Sequence, residues 1–568
     1  MIAENGTTLL PFSSTITGTL LTGLALSALA ILTPKTTKII SYSVEHFLAH
    51  LAARKSLAVC LVFFAVASIR LLVLPLLPVP VPGIHDEFSY LLMADTFVHG
   101  RLANPPHPMW ISFETFHVNW FPTYSSMYPP AQGFVLALGQ ILGHPWIGVL
   151  LSASAMCAAI LWMLQAWMPA RWALLGAALA AMKFGLASYW MNSYWGGAVA
   201  ATGGALVLGA LARVTRRGKA RDALLLGLGI AILANSRPYE GLLLCLPAAG
   251  FFSWWLTGKT KPKINLHQRI RSVLFPLAAL LLFLAAFMAY YNWRLTGNPL
   301  LFPHTLNVRT YHTAPIFVWG HLQPLRQYNN QQFEDFYTDW EQEEYPGTLR
   351  GARNASWLKL TRYSTTFFWM GLLFALPGLP FALRDRRLRL LVITFFLGVA
   401  GLFTVTWSNS HYAAPLTCVI FALLVQSIRH LRTMRFAGRP IGIALSWAIV
   451  ALLAIDTGSA VTHRSCDPLW WTCQGDPSRA AIQKKLENTP GKHLVVVRYE
   501  QDHNVHDEWV FNGAEIDTAK VLWARELTAQ QNEKLFAYFK DRQIWLATPD
   551  TDNTSLQPYS PPDDSSEH

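Results

Sequence analysis

Two adjacent acids, Asp86 and Glu87, stand in the stretch GIHDEFSYLLMADTFVHG, a few residues after an apolar run long enough to cross a bilayer. A carboxylate at a membrane edge can draw the proton from an acceptor hydroxyl, and general-base catalysis of this kind is worth about 10²–10⁴-fold. Successive helical positions point about 100° apart. The two acids therefore cannot share one task equally; one can face a cavity while the other anchors or caps. The competing reading is structural: FSYLLMADTFVHG reads as a helix starting there, and acids in a first turn complement the helix dipole. Tyr90, on the same stretch, is a candidate for the substrate pocket.

A phosphate-bearing substrate in a membrane needs positive charge to hold it and to stabilise the leaving group. The candidates for the donor phosphate are Arg237 in ANSRPYE, Arg294 in YYNWRLTGNP, His304 further along, and His411 in SNSHYAAP. Tyr239, Glu240, Asn292 and Tyr412 lie beside them and are candidates for the pocket wall, and Arg309 follows His304 in the same loop. Internal pairing, for example Arg237 with Glu240, is the structural alternative, and a lone His is more often structural than catalytic. The chain has no HExxH pair, no Cys–His cluster and no Gly-rich phosphate loop, so no metal site is assigned. The two acids could bind a divalent ion, but a full ligand set is not visible. GGAVAATGG reads as close helix packing by small residues.

The elements that must carry these groups are set by composition. Of 568 residues 52% are hydrophobic and only 14% charged, against about 25% charged in a soluble domain. The class is integral membrane. The net charge of +12 is not a nucleic-acid signature, because Lys and Arg cluster in short links between apolar runs, as in cytoplasmic loops. Taking about 20 apolar residues per span, the runs predict an all-α polytopic protein of about 12 transmembrane helices. The first is Ser14–Thr33 and the second Leu57–Leu77, with a short interfacial helix at Val44–Leu51 between them. Ala131–Leu142 is too short to span. Later spans include Trp146–Trp167, Val273–Tyr291 and Thr366–Ala382. The basic flank at Lys35, Lys38, Arg54 and Lys55 puts the N-terminus and loops 83–130 and 292–363 outside, and the later basic links fall on the opposite side.

Three regions follow: an extra helix and link over 1–56, a catalytic transmembrane module over 57–458, and a soluble extracytoplasmic α/β domain over 459–568. In the last, helices are predicted at Ser478–Glu487 and Ala529–Asp541, and strands at His493–Tyr499, Lys520–Arg525 and Gln543–Thr548, followed by a disordered tail from Thr551. Cys60, Cys157, Cys245 and Cys418 read as core residues. Cys466 and Cys473 could form a disulfide if their region is extracytoplasmic.

The segments HDEFSYLLMADTFVHGRLANPP and MYPPAQGFVLALG resemble the GT-C superfamily of polytopic glycosyltransferases, nearest the branch of protein O-mannosyltransferases and lipid A aminoarabinose transferases. NSRPYEG, NWRLTGNPLLFPH and SHYAAPL are similar to segments of uncharacterised bacterial members. The resemblance covers about residues 57–460, and its acidic pair is its most specific part. It implies a polyprenyl-phosphate sugar donor, a site at the outer membrane face, inversion at the anomeric carbon, and Asp86 as general base. The extra N-terminal span and the C-terminal domain depart from the characterised branches and leave the acceptor open among glycolipid, polysaccharide and protein. The expected location is a bacterial inner membrane. The rival reading is a transporter or flippase of a lipid-linked sugar, supported by the intramembrane charges of Arg70 and Lys183.

Overall fold

The computed structural model describes residues 34–463, 475–551 and 555–560, apart from 260–261, 263, 346, 348, 368–369 and 437, together with 21–25, 28 and 32. Helices α1 (Pro34–Ala53) and α2 (Lys55–Leu72) are followed by α3 (His85–Val98), α4 (Pro130–Ile141), α5 (Pro145–Trp167), α6 (Ala170–Phe184), α7 (Ala198–Arg217), α8 (Ala220–Ala234) and α9 (Pro238–Leu256). Then come α10 (Leu266–Thr296), α11 (Pro303–Tyr311), α12 (Leu349–Phe367), α13 (Leu379–Arg384), α14 (Arg389–Leu402), α15 (Thr417–Leu431) and α16 (Ile441–Thr462). Prolines open α4, α5, α9 and α11, where the missing N–H costs nothing and the fixed φ suits a first turn.

The chain is a mostly helical multi-pass membrane protein. Among the described residues six helices are long and apolar enough to cross a membrane, seven if one bent pair counts as a span. The expected twelve are not shown: α6 and α8 have 15 residues each and α14 has 14, short of the ~20 a bilayer core needs. Most of the predicted span Ser14–Thr33 lies outside the described residues. The predicted span at Thr366–Ala382 is instead broken, with Gly351–Phe367 and Leu372–Arg384 bent 98° apart. The break falls between Phe367 and Leu372, upstream of Pro377 and Gly378, and a Cβ on Gly378 would lie 2.0 Å from the Ser427 carbonyl oxygen. The short interfacial helix expected at Val44–Leu51 extends over all of α1.

Helices α5, α7 and α15 are largely covered by protein, whereas α2 and α10 turn most of their surface outward. Cys60 is accordingly exposed on α2 rather than in the core, while Cys157 and Cys418 are buried and Cys245 half-buried. Cys466 and Cys473 lie outside the described residues. The small-residue stretch on α7 packs closely, as expected: a Cβ on Gly204 would sit 2.1 Å from the carbonyl oxygen of Pro415.

The C-terminal region forms a four-stranded sheet flanked by α17 (Pro477–Glu487) and α18 (Ala529–Tyr538). The first loop carries the short antiparallel pair β1 (Val118–Asn119) and β2 (Ser125–Ser126), and in the C-terminal sheet strands β3 (Lys492–Val497), β4 (Val521–Arg525), β5 (Arg542–Thr548) and β6 (Ser555–Pro558) are ordered β4-β3-β5-β6. β3 runs parallel to β4 and β5, and β6 is antiparallel to β5. β6 corrects the expectation of a disordered tail from Thr551: Ser555–Pro558 pairs along the open edge of β5 and covers part of it.

This sheet shares a core with the first loop. Leu92, Val118, Trp120 and Tyr124 pack with Leu494, Ile516, Leu522 and Phe539. Asp95 accepts the Ala514 N–H at 2.7 Å, and the Tyr124 hydroxyl donates to the Asn512 carbonyl at 3.0 Å. Gly475, at φ +64°, lies so close to the loop start that a Cβ would meet the Val81 carbonyl oxygen at 1.8 Å. A side chain there would push the domain off the segment leading to Asp86.

Candidate active site

Asp86 occupies the first turn of α3, with its carboxylate gripped from three sides. His85 Nδ1 lies 3.2 Å from Oδ2, His117 Nε2 lies 3.9 Å from the same oxygen, and the Tyr128 hydroxyl donates to Oδ1. Burial raises the carboxyl, but His117, His85 and Tyr128 together outweigh it and hold Asp86 below the usual carboxylate range. Burial also keeps His117 well below the ordinary imidazole range, with His85 adding to it and Asp86 opposing. His117 has φ 61°, a left-handed conformation uncommon outside glycine and found where surrounding structure over-determines it. Its carbonyl is pinned by the Ser89 hydroxyl at 2.8 Å and the Met127 N–H at 3.1 Å.

Glu87 points elsewhere. Its carboxylate accepts the N–H groups of Gly83 at 2.9 Å, Ile84 at 3.3 Å and Tyr194 at 2.8 Å, and it is fully buried. It closes the start of α3 and ties it to the buried turn after α6. Burial pushes it up to about 7, with those three bonds pulling the other way. The two acids thus divide their tasks as their angular offset requires, Asp86 toward the polar cluster and Glu87 into the backbone.

Arg237 caps α9, with its guanidinium 4.0 Å above the Tyr412 ring. Arg237, Tyr90, Glu240 and Tyr412 lie within electrostatic reach of one another, and Tyr90, Tyr412 and His411 also feel Asp86. His411 is buried, bonded to the Tyr189 hydroxyl at 3.1 Å and packed on Trp195. His304, at the start of α11, is pushed down to about 4 by burial, His312 and Arg237. It lines a narrow, mainly apolar crevice with Asn292, Met288, Tyr291 and Phe302.

Other expected residues fall outside this cluster. Arg294 is exposed on the last turn of α10 and Arg309 is exposed on α11. Tyr239 bonds the Thr404 hydroxyl at 2.6 Å. Arg70 is buried, donating to the carbonyls of Leu77 and Pro78 and to Asn192 Oδ1 while stacking on Trp146. Lys183 donates to the Thr365 carbonyl at 3.4 Å.

Four neighbours of Asp86 were not among the expected site residues: His85, His117, Tyr128 and His506. His85 adjoins Asp86 in HDE, and His117 sits in the same loop, so a census of imidazoles around the acid could have raised both. Tyr128 and His506 depend on tertiary pairing. His506 comes from the C-terminal domain, its ring 5.7 Å from that of His85.

His85, Asp86 and His117 offer ligand atoms that all lie within 4.8 Å of one another. His117 Nδ1 has no hydrogen-bond partner among the described residues. Two imidazoles and a carboxylate make a nitrogen–oxygen set that suits a first-row divalent ion. The residues fit such an ion, which the sequence alone did not assign.

Solved structures similar to this chain include the archaeal oligosaccharyltransferase AglB from Archaeoglobus fulgidus in complex with an inhibitory peptide and a dolichol-phosphate. It is 10% identical, with 76% of this chain and 62% of that chain covered and a TM-score of 0.39. The Archaeoglobus fulgidus oligosaccharyltransferase in complex with Zn and sulfate is 12% identical over 77% of this chain and 60% of that chain, with a TM-score of 0.40. Its apo form is 12% identical over 78% and 62%, with a TM-score of 0.41. The chain therefore spans about three-fifths of the length of these structures. No family model and no curated protein matches the chain.

Proposed function

We propose that the protein is a membrane glycosyltransferase that moves a sugar from a polyprenyl-phosphate donor to an extracytoplasmic acceptor. The observation that carries this reading is the pairing in one buried cluster of a carboxylate kept ionised by two imidazoles and a phenol with an arginine, Arg237, close by. Base and cation at the rim of apolar spans are what transfer from a lipid phosphate requires. The acceptor hydroxyl gives its proton to Asp86 as its oxygen attacks the anomeric carbon from the face opposite the phosphate. The bond from that carbon to the phosphate oxygen breaks, and the electron pair leaves with the polyprenyl phosphate, whose charge Arg237 offsets and to which the neutral His304 imidazole can donate a hydrogen bond. The crevice beside His304 and Asn292 gives the lipid a mainly apolar wall to lie against. A divalent ion held by His85, Asp86 and His117 would supply Lewis acidity at the same point.

The charges that spoke for a transporter are absorbed structurally. Arg70 makes three hydrogen bonds and a ring contact inside the protein, and Lys183 bonds a backbone carbonyl. Orientation, with loops 83–130 and 292–363 and the sheet domain outside a bacterial inner membrane, belongs to this same reading. The test is a glycolipid profile of cells lacking the protein, complemented with wild type or Asp86→Asn. Loss of one sugar from an acceptor, restored by wild type alone, supports the assignment. Full rescue by a normally folded Asp86→Asn protein sinks it.

A further inference from the structure

Between the two long loops, apart from the Asp86 cluster, lies a second cleft of about 220 Å³. Trp110, Trp120, Tyr311 and Tyr328 supply its aromatic walls, and Glu114 and Asn329 its polar groups. The polar groups are held in place: Glu114 accepts the Tyr311 hydroxyl at 3.0 Å on one oxygen and the Asn329 amide at 2.9 Å on the other. Trp120 is 2% exposed, is stacked on Tyr124 at 4.3 Å, and its indole N–H has no partner among the described residues. No Lys or Arg lines the cleft while a carboxylate does, which disfavours an anionic ligand. Flat aromatic faces with fixed amides and a carboxylate match one chemistry well. A sugar ring stacks its C–H face on an aromatic ring and spends its hydroxyls on directional hydrogen bonds.

We infer that this cleft is a saccharide-binding subsite that holds neutral sugar units of the acceptor. Its role as an acceptor subsite rests on the transferase reading; its affinity for saccharide does not. Trp120 and Glu114 each lie three residues from His117, which faces Asp86. A chain of sugars seated here can therefore present its growing end toward the Asp86 cluster. The acceptor class that follows is a glycan-bearing molecule, not a bare peptide.

The test is saturation-transfer NMR on the full-length protein in nanodiscs, free of sugar-based detergent. The probes are neutral α- and β-linked hexose disaccharides and trisaccharides, with a Ser/Thr-rich peptide as comparison. Ring protons of at least one saccharide are expected to saturate. Its Kd should rise about tenfold or more in Trp110→Ala and in Asn329→Ala, both at partly or fully exposed positions. It should stay unchanged in Asp86→Asn. No saturation of any saccharide by folded wild type, equal binding by both cleft variants, or saturation of the peptide alone would overturn the inference. Saccharide binding lost in the cleft variants, together with full transfer by Asp86→Asn, would uphold the cleft while removing the catalytic reading.

Discussion

His506 lies with its Nδ1 3.4 Å from Nε2 of His85, although 421 residues of chain separate the two. The His506 ring is steered there by Trp340, edge-on with centroids 4.8 Å apart. The sheet domain thus reaches the residue beside Asp86 through a side chain of its own, while its core is continuous with the first loop.

That continuity predicts two separable losses. His506→Gln removes the support behind His85 and should lower transfer about 10–100-fold, as loss of an outer positioning partner commonly does, with little change in the thermal midpoint. Removing residues 459–568 should instead cost the fold. It bares Leu92, Val118, Trp120 and Tyr124, each worth about 1.5–3 kcal/mol of burial against a typical total of about 5–15 kcal/mol. Size-exclusion profiles and a transfer assay read both. A monodisperse, fully active truncation would show that the domain is an accessory.

Glu87→Gln should act on stability before chemistry. One carboxylate now serves three N–H donors; a carboxamide has one acceptor oxygen and turns its NH₂ against at least one of them. Leaving a buried donor unmet costs about 1–3 kcal/mol. The variant is expected to melt earlier yet keep most of its turnover per folded molecule, the reverse of Asp86→Asn. Wild-type melting with lost turnover would move Glu87 into the chemistry.

Much of this architecture could be read from the chain, because apolar period and length report directly on elements. Trp146–Trp167 was legible to within a residue of α5, and His493–Tyr499, Lys520–Arg525 and Gln543–Thr548 were legible as strands, since short apolar runs of Val, Ile, Leu and Trp between polar turns are too short for helices. The break between Gly351–Phe367 and Leu372–Arg384 was not, because the apolar run continues across it with no proline there to mark a bend. β6 was hidden in a polar, Pro-containing tail that is ordered by long-range contacts, pairing with the edge of β5 and packing of Leu556 on the sheet core. At the site, Asp86, Arg237, His411 and Tyr412 were legible as polar residues near the ends of apolar runs, and His304 as a residue of the second long loop. Arg294 carried the same signal yet faces outward, because position near a span end does not fix azimuth. Tyr128 and His506 carried no local signal at all: 42 and 421 residues separate them from the side chains they touch.

His304 gives a pH signature in stability. Burial, His312 and Arg237 hold it near 4 in the folded chain, against about 6.5 for an unfolded histidine. The unfolded state therefore binds the extra proton first, so stability is full above about pH 6.5 and falls as the pH drops toward 4. His304→Gln should flatten this part of the profile relative to wild type while leaving the neutral-pH midpoint nearly unchanged. Thermal unfolding in nanodiscs between pH 4 and 7.5 reads it. Parallel wild-type and variant curves would mean that His304 is as free to protonate in the fold as outside it.

Arg237 offers the sharpest separation of charge from packing. Its guanidinium lies 4.0 Å from the Tyr412 ring centroid, a stacked geometry that a compact ammonium cannot reproduce. If its task is to offset charge on the departing phosphate, Arg237→Gln should lower kcat by about 10²–10³, the usual cost of one electrostatic partner in a transition state. Arg237→Lys should fall between, keeping the charge but losing the fork and the stack. Tyr412→Phe retains an aromatic face for the cation and should keep most of kcat. A purely structural arginine would give another order: Gln and Lys would lower the thermal midpoint together, and turnover per folded molecule would stay level. Measuring kcat, KM and melting on the same preparations distinguishes the two, because only a transition-state role moves kcat without the midpoint.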